Sequence, residues 1–102
     1  MSRILVKVKY YAWLASLAGT SEDLLEVQPG VSIEDVLKLL SKMKPSLSKV
    51  IDKALKGEAE LVILHNLKHP AEGLKTKLSN NDVLEILPPM SGGTSALLKA
   101  NY

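Results

Sequence analysis

The first clear hydrophobic pattern in the chain is an alternation near its N-terminus. Over residues 3–11, one face of the alternation carries Ile4, Val6, Val8 and Tyr10, and the other carries Lys7 and Lys9. Because successive side chains of a β-strand point to opposite faces, this alternation predicts a strand with one buried face. The next residues, 12–18, are apolar and rich in helix formers, and Gly19 is a plausible stop, so a short helix is predicted there.

A second strand and a main helix are predicted next. Residues 24–28 have the pattern of a short strand, which we expect to pair with the first strand as an antiparallel hairpin. After the turn at Pro29-Gly30, Ser32 is typical of a helix N-cap, with Asp35 in a near-capping-box position. The residues that follow at helical spacing and form one apolar stripe are Ile33, Val36, Leu37, Leu40 and Met43.

The second half of the chain predicts another helix and two more strands. Pro45 breaks the main helix, and a second helical stretch over 47–55 ends at Gly57. The remaining predictions are a strand at 61–64, a turn or short edge segment at 69–73, a turn at 80–82, and a last strand at 83–87 that Pro88-Pro89 ends.

This order of elements predicts an α+β fold in which helices pack on one side of a small sheet. We expect a β-grasp (ubiquitin-like) arrangement, a mixed four- to five-stranded sheet packed on one main helix; the pattern alone leaves a ferredoxin-like fold open. Residues 1–89 form the predicted domain. Residues 90–102 form a predicted flexible C-terminal tail, with Gly-Gly at 92–93 and nine residues, 94–102, after it.

Composition narrows the possible functions. A net charge of +2 over 102 residues is too small to argue for a nucleic-acid partner. The absence of cysteine excludes disulfides and thiolate chemistry. No apolar run approaches the length of a membrane span, and the N-terminus lacks the features of a signal peptide, so a cytoplasmic location is expected.

Few side chains suggest catalysis or metal binding. His65 and His69 straddle a strand end and are interpreted as surface histidines, so no metal site is expected. Tyr10, Tyr11 and Trp13 are interpreted as core or edge packing. No nucleophile, phosphate-loop or metalloprotease motif is present, which argues against an enzyme with a catalytic centre of its own.

The informative segment is residues 88–93, Pro-Pro-Met-Ser-Gly-Gly. The prolines project the chain stiffly from the end of a strand. Gly92 and Gly93 lack a Cβ, so their backbone fits a channel too narrow for a side chain. A carboxylate at Gly93 would be an unhindered acyl group. The simpler alternative for an isolated Gly-Gly is a hinge before a tail.

Three segments resemble the ubiquitin-like sulfur-carrier family, which includes the MoaD/ThiS-like small subunit of molybdopterin synthase and the small archaeal modifier proteins. Residues 7–19 are similar to the family's first strand and helix, and residues 61–66 to its central strand. Residues 82–93 are similar to its closing strand and Gly-Gly ending, the most specific part of the resemblance. Together these segments favour the family over a simple hinge.

The resemblance implies a function for Gly93. An adenylating enzyme of the ubiquitin-activating type uses ATP to activate the terminal glycine, which becomes a thiocarboxylate; the chain itself binds no cofactor. The large molybdopterin synthase subunit then receives the sulfur. Gly92, Ser91, Met90, Leu87, Pro88 and Pro89 are the expected docking and insertion residues. In the modifier relatives, the glycine is joined instead to a lysine of a target protein.

One departure from the family pattern concerns the residues after Gly93. Family members that are ready for activation end at Gly-Gly, whereas here Thr94 follows. Three explanations are open: a deubiquitinase-like protease cleaves between Gly93 and Thr94, this member is not a carrier as encoded, or residues 94–102 are a cloning scar. A different class of function is also open, in which the chain is a β-grasp interaction module that is not conjugated.

A partner surface is also predicted at the last strand. If Leu84 and Ile86 face the core, the residues that face outward are Val83, Glu85 and Leu87. Leu87, with Met90 and Leu64, would then leave an exposed apolar patch at the root of the tail, a feature typical of docking sites. The alternative is that the second helix covers this patch.

Overall fold

The computed structural model describes residues 3–89. Four strands and three helices follow in the order that the sequence predicts, and one 3-10 turn lies between the last two strands. Their bounds are β1 Ile4–Tyr10, α1 Trp13–Ala18, β2 Glu22–Val27, α2 Ile33–Met43, α3 Pro45–Leu55, β3 Val62–His65, a 3-10 turn Gly73–Lys75, and β4 Asp82–Leu87.

The four strands form one mixed sheet in the order β2-β1-β4-β3. β1 pairs antiparallel with β2, which confirms the predicted hairpin, and parallel with β4; β3 pairs antiparallel with β4. The described residues contain no fifth strand. Residues 69–73 do not join the sheet, and the 3-10 turn begins at Gly73.

The core lies between the sheet and the helices. The alternation in β1 is confirmed, because Val6, Val8 and Tyr10 are buried, and so are Leu84 and Ile86 of β4. α2 and α3 pack against each other and add their apolar faces to the same core. The helical residues that complete it include Leu14, Ile33, Val36, Leu37, Leu40, Leu47 and Ile51.

The predicted start of α2 is confirmed in detail. The Asp35 amide donates to Ser32 Oγ over 3.2 Å, and the Ser32 amide donates to Asp35 Oδ2 over 3.0 Å. These bonds form a reciprocal capping box and lower the pKa of Asp35. The prediction is wrong for the last residue of the apolar stripe, because Met43 is 49% exposed. Met43 is the last residue of α2, and the chain turns directly afterwards into α3.

A polar cluster ties the helices to the sheet near the end of β1. The Tyr10 hydroxyl donates to Asp23 Oδ2 over 2.8 Å, and Lys44 Nζ lies 3.2 Å from the same oxygen. Lys44 also donates to the Ala18 carbonyl oxygen at 3.1 Å. Burial, with the Asp23 hydrogen bond, raises the pKa of Tyr10 far above its usual range. Tyr10 is therefore both a core residue and a bridge between β1 and β2.

No helix within residues 3–89 is long and apolar enough to cross a membrane.

Candidate functional site

The tail leaves the sheet where three strand ends meet. β1 and β4 are parallel, so their carboxyl ends lie at the same edge, and the Tyr11 amide donates to the Ile86 carbonyl oxygen over 3.2 Å. β3 runs the other way, so its first residue, Val62, lies opposite Leu87. We call Leu87, Pro88 and Pro89 the tail root. All three are partly buried, which fixes the point at which the chain leaves the domain.

Most of the predicted glycine site lies beyond this point. Met90, Ser91, Gly92, Gly93 and Thr94 fall outside the described residues, so their roles stay predictions. The root residues Leu87, Pro88 and Pro89 are described, and the structure places them together at the carboxyl end of β4.

The face of the sheet opposite the helices surrounds the tail root. The register places Lys9 and Leu64 on either side of Glu85, and Val62 beside Leu87. The core residues of β1 and β4 alternate with Lys9, Glu85 and Leu87, so the outer-face side chains point away from the helical layer. We call these five residues the outer face. It combines three apolar side chains with one cation and one carboxylate.

Glu85 faces outward, as predicted, yet it is buried. Its side chain does point away from the helices, but the residue is only 7% exposed. Strand neighbours flank it on both sides, and the Tyr11 hydroxyl donates a hydrogen bond to Glu85 Oε2. This hydrogen bond is the main reason that the pKa of Tyr11 is raised. A buried carboxylate therefore holds an aromatic ring beside the tail root.

The predicted apolar patch is present in a reduced form. Leu64 and Leu87 are partly buried rather than exposed, because each has a strand neighbour at its side. The alternative that α3 covers them is wrong, since Leu47 and Ile51 of α3 belong to the core on the other side of the sheet. Met90, the third predicted member, lies outside the described residues.

His65 is not the surface histidine that the sequence suggested. Its side chain is 19% exposed, and Nε2 lies 2.7 Å from Asp82 Oδ2. Asp82 also accepts hydrogen bonds from Asn66 Nδ2 at 3.0 Å and from the Ser79 amide at 2.8 Å. Burial opposes ionisation of Asp82, but these hydrogen bonds outweigh it and lower the Asp82 pKa. The group ties β3 to the start of β4. His69 is exposed, as expected.

The aromatic residues after β1 differ from one another in burial. Tyr10 is 3% exposed, which confirms its core position, whereas Trp13 is 49% exposed on α1 and Tyr11 is 37% exposed. Trp13 therefore lies outside the core. The described residues contain no cluster of metal-ligating side chains.

The sequence did not identify the Tyr11–Glu85 and His65–Asp82 pairs. Each joins residues from distant parts of the chain, separated by 74 and 17 positions. One signal was available: Glu85 is the single charged residue inside the apolar run 83–87. A charge at the centre of such a run needs a polar partner if the strand is internal.

The ThiS family model matches residues 8–93 of this chain. That match spans most of the chain and includes the end of β1, all later strands and helices, and the tail root described above. The chain belongs to the ThiS family. The resemblance noted in the sequence is therefore confirmed, and the last matched residue is Gly93.

Individual relatives agree with this assignment. A molybdopterin synthase sulfur carrier subunit of Chlamydomonas reinhardtii is 30% identical over 88 residues, 86% of this chain and 98% of that protein. The solution structure of small archaeal modifier protein 1 from Methanosarcina acetivorans is 36% identical, with a TM-score of 0.72, and covers 91% of this chain and 100% of its own. The corresponding Haloferax volcanii crystal structure is 28% identical, with a TM-score of 0.72, and covers 87% and 99%.

These likenesses confirm the predicted β-grasp fold of the ThiS family member. The relatives named above are small sulfur-carrier or modifier proteins rather than catalytic enzymes, as the resemblance implied. The family assignment thus supports a sulfur-carrier or ubiquitin-like role for this chain.

Proposed function

We propose that this chain is the sulfur-carrier subunit for molybdopterin biosynthesis and that it carries sulfur on Gly93. The observation that supports this most strongly is that the ThiS match runs to the second glycine of the pair at 92–93. The Chlamydomonas relative named as a carrier subunit aligns over 98% of its own length, so the comparison involves a whole carrier and not a fragment.

The proposed chemistry begins with hydrolysis of the Gly93–Thr94 peptide bond. A protease of the deubiquitinase-like type uses water to release residues 94–102 and leaves a carboxylate on Gly93. An oxygen of that carboxylate attacks the α-phosphorus of ATP in an adenylating enzyme, and pyrophosphate leaves. Hydrosulfide then adds to the acyl carbon and AMP leaves, so that Gly93 ends in a thiocarboxylate.

Each residue of the tail has a simple role in this scheme. Gly93 is the acyl carrier, and Gly92 keeps the approach free of side chains. Pro88 and Pro89 set the direction in which the tail leaves the sheet. The residues between them, Met90 and Ser91, contact the walls of the partner's channel. The catalytic groups belong to the partners, which is consistent with a carrier that supplies only an accessible acyl group.

The outer face is the proposed docking surface for those partners. An enzyme that takes up the tail must approach the edge where Leu87 leaves the sheet. Val62 and Leu64 lie beside that exit and present partly buried apolar side chains. Such a surface fits a partner with an apolar patch around the mouth of a channel. The expected partners are the adenylating enzyme and the large molybdopterin synthase subunit.

Intact-mass measurement tests the loading step. The chain ending at Gly93 is incubated with an adenylating enzyme, ATP and sulfide, and the expected product has one oxygen replaced by sulfur. A chain ending at Gly92 and the full chain ending at Tyr102 are the controls, and neither should react. Absence of the exchange, or the same exchange in the chain ending at Gly92, would reject Gly93 as the carrier.

A second candidate is a protein modifier joined through Gly93 to lysines of target proteins. The likeness that favours it is the 36% identity to small archaeal modifier protein 1 across that whole chain. Adducts of high mass that appear in cells and disappear when Gly93 is deleted would support this role. If neither adducts nor sulfur exchange is found, the chain is an interaction module that is not conjugated.

A further inference from the structure

An apolar cleft lies on the helix side of the sheet, next to the tail root. Its cavity volume is about 420 Å³, and Leu37, Leu55, Leu61, Ile63 and Leu74 line most of it. Leu37 belongs to the buried core, while the other four residues are only partly buried. The core is therefore incompletely covered here. We call this cavity the α3–β3 cleft.

β3 forms one wall of the cleft and is an edge strand. Within residues 3–89 it pairs with β4 on one side and with no strand on the other. An edge strand that borders an apolar cavity is a surface that proteins normally cover. The cleft volume falls within the range of about 300–1,000 Å³ that is typical of ligand pockets, so it has room for several apolar side chains.

We propose that residues 96–98, Ala-Leu-Leu, fold back and fill the α3–β3 cleft of the same molecule. This segment is the only run of three apolar residues after Pro89. The tail starts beside the cleft, because Leu87 pairs with Val62, whose chain neighbours Leu61 and Ile63 line the cavity.

The connection is long enough for this path. Leu97 is eight positions after Pro89, and eight residues span at most about 27 Å. A strand of four residues such as β3 is about 13 Å long, so the far end of the cleft is within reach. The linker includes Gly92, Gly93, Thr94 and Ser95, small residues that allow a reversal of the chain.

Charge and shape favour this occupant. Lys99 is the only charged side chain in residues 90–102 and follows the apolar run directly. Glu60 lies at the rim of the cleft and makes no ion pair within residues 3–89. The other exposed apolar pair near the tail root, Trp13 and Leu17, lies one turn apart on α1 and forms a ridge rather than a cavity.

Docking has a consequence for processing. Cleavage after Gly93 would release the occupant and open the cleft beside β3, so the cut and uncut chains would present different surfaces next to the tail root. The docking itself needs no chemistry at Gly93, so it can be tested independently of the proposed sulfur-carrier function.

Paramagnetic relaxation in the full chain tests the docking. Because the sequence has no cysteine, Ala100→Cys provides one site for a nitroxide label. Docking predicts loss of the amide signals of Ala59, Leu61 and Leu74, while the signals of Gln28 and Gly30 at the far end of the sheet persist. Uniform weak broadening, or broadening centred on Trp13 and Leu17, would overturn the proposal.

Two controls complete the experiment. Leu97→Asp with Leu98→Asp in the labelled chain should restore the cleft signals, whereas Ser95→Asp with Asn101→Asp adds the same charges outside the apolar run and should leave them broadened. Equal behaviour of the two variants would contradict docking by the leucines. Labelled chain mixed with isotope-enriched unlabelled chain should cause no cleft broadening; broadening there would assign the occupant to a second copy.

Discussion

The Tyr11 hydroxyl donates a hydrogen bond to the Glu85 carboxylate on the outer face of the sheet. Glu85 is 7% exposed, so its carboxylate needs a hydrogen-bond partner from the protein. The Tyr11 hydroxyl supplies one. It also holds an aromatic ring beside the strand end from which the tail departs. The position of Tyr11 thus links the burial of one carboxylate to the shape of the proposed docking surface.

Removal of the Tyr11 hydroxyl should destabilise the fold. Tyr11→Phe leaves Glu85 buried without this donor, and we expect a loss of about 1–2 kcal/mol in the free energy of unfolding. Urea denaturation measures it. In a double-mutant cycle, Glu85→Leu, which cannot accept this hydrogen bond, should make the Tyr11→Phe change much smaller. Equal losses in both backgrounds would show that the two side chains are not coupled.

Asp82 should make stability depend on pH. Its folded-state pKa is lowered, so its contribution is present above the pKa of the unfolded chain, about 3.9, and is lost as pH falls through the folded value. Asp82→Asn should therefore cost about 1 kcal/mol at neutral pH and progressively less below pH 4. Denaturation at several pH values measures the difference.

A matched control for Asp82 is Glu26→Gln, at an exposed position on the edge strand β2. This variant should change stability by less than about 0.5 kcal/mol at any pH. If Asp82→Asn costs the same at acid and neutral pH, the lowered pKa of Asp82 does not contribute to folding.

The hairpin after β3 contains a strained leucine. Asn66 and Leu67 have φ values of 53° and 71°, and the amides and carbonyl oxygens of His65 and Lys68 bond across them. Leu67 is 76% exposed, so little packing offsets the strain. Leu67→Gly should stabilise the fold by about 0.5–1 kcal/mol, because glycine adopts this conformation without a Cβ clash.

The contrasting variant is Leu24→Gly. Leu24 is 62% exposed but lies within β2, where glycine weakens a strand. It should destabilise the fold, and thermal unfolding compares the two variants directly. Destabilisation by both would argue that Leu67 contributes packing that exceeds its strain.

Docking of the adenylating enzyme should depend on the outer face. Leu64→Lys places a cation next to the tail root, and we expect about a ten-fold lower rate of Gly93 loading, equivalent to about 1.4 kcal/mol. Lys53→Ala, an exposed position on α3, is the control and should load normally. Circular dichroism of both variants separates loss of docking from loss of fold.

Local sequence patterns predicted most of the fold. The alternation at Ile4, Val6 and Val8, the capping box at Ser32 and Asp35, and the turn glycine at Gly19, with φ of 78°, all appear as expected. Each depends on neighbours a few positions away, so a short stretch of sequence is enough to predict it. The β1–β4 pairing joins Val6 to Asp82 and Tyr10 to Ile86, so no local pattern predicts it.

The candidate site was less predictable than the fold, because its contacts join residues that are distant in sequence. Alternation correctly assigned Glu85 to the outer face, but its burial depends on Tyr11, which is distant in sequence. His65 likewise looked exposed until β4 brought Asp82 within 2.7 Å. Met43 fits the helical period of α2, yet it is exposed because the helix ends there.

The central claim is that Gly93 becomes the reactive end of this chain. The intact mass of the protein recovered from the cells that make it tests this claim most directly. The account predicts a chain that ends at Gly93, with a fraction in which one oxygen is replaced by sulfur. A population that always retains Tyr102, with no shortened or sulfur-bearing form, would contradict it.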